Sequence, residues 1–235
     1  MIGLSAAGAV GFALICIFAG RLSLVWRLDR NVWRSLAGGV ATAYVFVFLL
    51  PELSAHHRAI EEQLFQRASA SLYALVLLGT CFYYGLEVFL SHSEGRTYQR
   101  LGFWAHTAGF SLYYALIGYF LLRREDQSVG GELIYFLVLG LHAFALDIAF
   151  REQNHDLYDR YGRWVMAGSV LAGWAIGVAT IVPDVFAGMA FALLAGGMIL
   201  NVLKQELPAG GEGRYLPFIA GATICTALLM IAGFL

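Results

Sequence analysis

The fold turns on ELIYFLVLGLHAFALDIAFR, residues 132–151. At ~1.5 Å of rise per residue, a helix of this length crosses the ~30 Å of hydrocarbon in a bilayer. The run is apolar except for two titratable groups inside it, His142 and Asp147. A charge at such depth is costly, so both groups are expected to face a partner, a cavity or water. They are the first functional candidates.

Outward from this stretch the same pattern repeats. The chain of 235 residues is 60% hydrophobic and 13% charged, about half the charge of a soluble domain, and its mean hydropathy is +0.70. Charges fall in short clusters between apolar runs of roughly 19–22 residues, and no long polar domain interrupts them. The chain therefore reads as a single transmembrane domain over 1–235, an all-α polytopic membrane helix bundle. Eight transmembrane helices are predicted, at about 2–20, 36–53, 71–90, 102–122, 132–150, 164–182, 184–203 and 216–235. The first run has no basic region before it, so a spanning helix is expected there rather than a removable signal. Little besides Pro183-Asp184 joins the sixth and seventh spans. That predicts a tight hairpin with those two helices side by side.

Basic residues set the expected orientation. Arg21, Arg27, Arg30, Arg34, Arg96, Arg100, Arg151, Arg160, Arg163, Lys204 and Arg214 fall in one set of alternate loops, and only Arg58, Arg67, Arg123 and Arg124 in the other. The positive-inside rule places the richer set in the cytoplasm and both termini on the extracytoplasmic side. A multi-pass protein of a bacterial inner membrane or plasma membrane is expected, in contact with the lipid bilayer and with no nucleic acid as partner. Cys16, Cys81 and Cys225 lie in apolar runs without metal-type spacing and read as packing residues. Gly173 and Gly177 form a small-xxx-small pair, and Gly196-Gly197 sit inside the seventh span. Both are expected to let helices approach closely.

Three segments resemble the ZIP family of divalent-metal transporters. GGVATAYVFVFLLPELS (38–54) is similar to the family's second helix and ends in Leu50-Pro51-Glu52. LLGTCFYYGLEVFLSH (77–92) is similar to the third, with Glu87 before a polar end, and AFALLAGGMILNVLKQELP (190–208) resembles the seventh, closing on Leu-Pro. The resemblance implies a 3+2+3 arrangement of eight helices and transport of a divalent transition metal, zinc or similar, as substrate, with no resident cofactor. A homodimer stays open.

The family's metal centre is where this sequence departs. The fourth helix of the family offers His-Asn-x-x-(Asp/Glu)-Gly, and the fifth a His-x-x-Pro-(His/Glu) motif. Here His106 is followed by Phe110 at the acidic position, and anchoring instead on Ala115-Leu-Ile-Gly118 puts Gly109 and Tyr113 where the ligands belong. In the fifth helix His142 is followed by Leu146, with the acid displaced to Asp147, and neither helix contains proline.

The metal candidates are therefore His106, His142 and Asp147, with Glu87, Ser111 and Asn201 as weaker ones. His106 and Asp147 lie at similar depths and are expected to meet across helices four and five. His142 is turned ~140° from Asp147 on an ideal helix. Each has a plainer role. Glu87 can reach the helix end, His106 and Asp147 can form a structural hydrogen bond, His142 can bond a carbonyl or a tyrosine hydroxyl, and Asn201 can bond between helices. Tyr113 and Tyr114 add polar lining. Outside the spans, His56-His57 with Glu61 and Glu62, and His155 with Asp159, could capture a cation or be solvated charge.

Three functions follow. The first is ZIP-like transport of a divalent cation through a site on helices four and five. The alternative is a ZIP-fold protein without transport, acting as a membrane binding or regulatory subunit. An intramembrane metallo-hydrolase is third, and enzyme activity is not expected.

Overall fold

Each apolar run folds as a helix, which closes its backbone hydrogen bonds within itself. The computed structural model describes residues 2–21, 29–54, 69–91, 96–122, 129–206 and 213–231, and all its regular structure is helical. Eight helices carry it: α1 (Ile2–Phe18), α2 (Arg30–Ala43), α3 (Ser69–Ser91), α4 (Arg96–Phe120), α5 (Val129–Gln153), α6 (Arg163–Ala179), α7 (Asp184–Asn201) and α8 (Tyr215–Ile231). π-helical segments extend α2 (Tyr44–Leu49) and α7 (Val202–Glu206), and another, Tyr158–Gly162, leads into α6. By length and composition, Asn31–Ser54, Leu72–Phe89 and Val185–Lys204 are each able to cross a membrane.

The second helix begins before its predicted start because Asp29 caps it. The Asp29 carboxylate accepts the Asn31 N–H at 3.0 Å and also holds the Arg214 guanidinium at 2.8 Å. Arg214 in turn donates its backbone N–H to Ser35 Oγ at 2.8 Å. The start of α8 is thereby tied to the start of α2.

Three pairs of helices running in the same direction pack most extensively, α2 with α8, α3 with α7 and α4 with α6, while α1 lies on α6 and, less extensively, on α5. In each of the three pairs a glycine on each helix lies against the partner's backbone. A Cβ on Gly39 would strike the Phe218 carbonyl, and one on Gly221 the Leu36 carbonyl. Gly79 and Gly196 meet the carbonyls of Leu193 and Val76, and Gly118 and Gly173 those of Val170 and Ala115. Contact this close gains dispersion and Cα–H···O attraction that any side chain would prevent. Between α1 and α5 the approach is looser, with Gly11 against the Phe136 ring and Gly20 against the Arg151 side chain.

These clasps overrule the expected hairpin. α6 and α7 do not pack along their lengths: α6 lies on α4 and α1, and α7 on α3. The link between them is extended from Thr180 (φ −149°, ψ 158°) to Pro183. Tyr119 of α4 pins it, its hydroxyl oxygen accepting the Val182 N–H at 3.0 Å. A short connection limits how far apart two helix ends can be, but the packing faces decide which helices lie together.

Pro51 explains the irregularity in α2. Proline lacks an N–H and crowds the preceding turn, and a π-helical segment relieves that crowding. The Leu50 N–H accordingly reaches the Val45 carbonyl, five residues back. The π-helical end of α7 likewise precedes a proline, Pro208, which lies outside the described residues. α5 is central to the assembly, against α1, α2 and α8.

Candidate functional site

His142 and Asp147 are both buried, at 0% and 1% exposure. They belong to different surroundings. The His142 ring lies flat on the Tyr44 ring, with centroids 4.0 Å apart and planes at 8°. Tyr113 stands edge-on to it at 6.2 Å and donates its hydroxyl to the Tyr44 hydroxyl at 3.0 Å. Neither His142 nitrogen has a hydrogen-bond partner among the described residues. Tyr44 opens the π-helical segment of α2. Tyr44 and Tyr113 thus enclose the histidine.

Asp147 faces another tyrosine. The Tyr114 hydroxyl donates to its Oδ1 at 3.0 Å and lies 3.3 Å from the Ala143 carbonyl. Cys16 of α1 and Tyr158 border the same carboxyl, whose Oδ2 has no hydrogen bond among the described residues. Cys16 and Cys225 are buried, whereas Cys81 is exposed and packs into no core.

The expected pairing of His106 with Asp147 is not formed. α4 is drawn onto α6 by Gly118 and Gly173, and it reaches Asp147 through the Tyr114 side chain. His106 lines a pocket between α3, α4 and α7, and on the α5 side its ring lies 6.4 Å from the Phe150 ring. Glu87, Asn201 and Tyr113 also line that pocket. Two glycines shape it, since a Cβ on Gly109 or Gly197 would collide with Tyr83. At its edge Lys204 Nζ holds Glu87 Oε2 at 2.9 Å and lies 5.0 Å from the centre of the Tyr84 ring.

The structure therefore regroups the six candidates. Glu87, His106 and Asn201 line one pocket; His142 lies behind its wall, against Tyr113, and Asp147 is held by Tyr114. Ser111 Oγ is buried without a hydrogen bond among the described residues. Nowhere among those residues do three His, Cys, Asp or Glu side chains gather as a metal-binding group. Tyr44 and Lys204 are the contributors that spacing alone does not reveal. Tyr44 lies a few residues before Leu50-Pro51, and the π-helical register that this proline imposes would have been its signal.

The His155–Asp159 pair belongs to a clamp. Arg151 grips Asp159 with both arms, Nε to Oδ1 at 2.6 Å and Nη2 to Oδ2 at 2.7 Å, and its Nη2 is 2.7 Å from His155 Nε2. The guanidinium holds the Asp159 carboxyl below the usual carboxylate range. His56, His57, Glu61 and Glu62 lie outside the described residues.

Compared with known proteins, the chain matches no family model, and no curated protein matches it significantly.

Proposed function

We propose that this chain is a multi-pass membrane protein of ZIP-like layout that moves a divalent cation through the pocket between α3, α4 and α7. The observation that carries the reading is the convergence there of Glu87, His106 and Asn201 from three different helices. An imidazole, a carboxylate and an amide carbonyl form a donor set suited to a borderline divalent ion. Three protein donors leave room for water, which favours passage over permanent binding.

Two further features support the membrane and transport parts. Leu72–Phe89 is strongly apolar, yet only 11% of it is buried. Leu77, Leu78 and Phe82 are 62%, 57% and 63% exposed, an apolar surface suited to lipid. The parallel pairs also suit a repeat-built transporter. Exchanging helices one to three with six to eight, and four with five, turns α2–α8 into α3–α7 and α4–α6 into α1–α5, and leaves the α1–α6 contact on itself. Zinc added to the detergent-purified protein should raise its thermal midpoint, and the rise should vanish in His106→Ala. No rise with zinc, manganese or cadmium would count against the reading.

A second reading, a ZIP-like membrane subunit without transport, draws on Tyr44 and Tyr113 packed around His142, where the family would place its metal. It predicts a partner protein co-purifying in stoichiometric amount.

A further inference from the structure

We infer that Lys204 is a tethered counter-cation that occupies Glu87 while the pocket is empty and must yield when a divalent cation binds. The inference rests on the cation-transport reading and adds the regulation of that same site.

The argument begins with charge. Glu87 lines the pocket beside His106, and its carboxylate is a main source of negative charge for an arriving ion. In the structure that charge is already neutralised by the Lys204 ammonium at 2.9 Å. A divalent ion can share Glu87 only if the ammonium moves away, because two cations close to one carboxylate repel each other. The same ammonium already lies 5.0 Å from the Tyr84 ring centre, so an aromatic face that attracts a cation stays beside it when it leaves the carboxylate. Lys204 is 40% and Glu87 31% exposed, so the exchange needs no buried charge to be stranded.

Local structure fixes this arrangement. The Gly79 and Gly196 clasp brings α3 and α7 into backbone contact, which puts the two side chains within reach. Lys204 lies inside the π-helical segment Val202–Glu206, whose register sets the direction of its side chain. Glu87 and Tyr84, one helical turn apart on α3, both contact the ammonium in this arrangement. Lys204 also belongs to the basic set expected on the cytoplasmic side, so its return to Glu87 would help expel the ion into the cytoplasm.

The test is equilibrium dialysis of Zn2+ against the purified full-length chain in detergent. Lys204→Met should bind Zn2+ about tenfold more tightly than the parent, an effect sized for a partly solvated charge pair. Lys204→Arg, which keeps the charge, should bind as the parent does. The gain should disappear in Lys204→Met/Glu87→Gln. Equal affinity of Lys204→Met and the parent, with parental binding still lost in His106→Ala, overturns this inference alone. A gain that persists without the Glu87 charge also overturns it. Absence of His106-dependent Zn2+ binding in every variant overturns the cation-transport reading as well.

Discussion

The Tyr114 hydroxyl donates to Asp147 Oδ1 at 3.0 Å, so the buried carboxyl of α5 answers to a tyrosine of α4 rather than to His106. The distinction separates two sites. Asp147 sits in a polar island with Cys16 and Tyr158, whereas His106 belongs to the pocket shared with α3 and α7.

This separation predicts which residues couple. In a double-mutant cycle on thermal stability, Tyr114→Phe and Asp147→Asn should be non-additive by ~0.5–3 kcal/mol, as contacting residues are. His106→Ala and Asp147→Asn should add within ~0.5 kcal/mol. The reverse pattern would place His106 beside Asp147.

The glycine clasps should tolerate no side chain. Gly173→Leu drives its new atoms into the Ala115 backbone, whereas nothing lies within 4 Å of the Cβ position at Gly168. We expect Gly173→Leu to destabilise by ~1–3 kcal/mol or more and Gly168→Leu to stay within ~0.5 kcal/mol. Equal midpoints for the two variants would show that α4 and α6 are not in backbone contact.

Acid should loosen the clamp before α6. Asp159 is held below its unfolded titration range by Arg151. Its contribution is therefore complete above the ordinary carboxylate range, near ~4, and fades as pH falls through the lower folded value. Hydrogen exchange across 154–162 should be faster in Asp159→Asn than in the parent at neutral pH. The two should converge in acid. Identical exchange at neutral pH would mean that the clamp contributes nothing.

Much of this architecture is legible in the residues, and the rest is hidden for physical reasons. The eight helices follow from runs of apolar residues, because each run closes its own backbone bonds. Gly173 and Gly196 announce close packing, but a glycine does not name its partner. That is why Pro183-Asp184 suggested a hairpin where the faces of α6 and α7 turn to other helices. Depth along a helix could be counted for His106 and Asp147, and it placed them level. Azimuth relative to neighbouring helices could not be counted, and it turns His106 to α7 while Asp147 meets Tyr114. Tyr44 and Lys204 escaped for a different reason: both lie in π-helical segments, where the ordinary 3.6-residue period no longer tells which way a side chain points.

Passage of a divalent cation by way of Glu87 and His106, as proposed, should be visible as zinc uptake into proteoliposomes of the purified chain. Uptake should be saturable and above that of protein-free vesicles in the parent, and should fall to that background in His106→Ala and in Glu87→Gln while both variants remain folded. Uptake no faster than in protein-free vesicles, or a His106→Ala variant that transports as well as the parent, would contradict it.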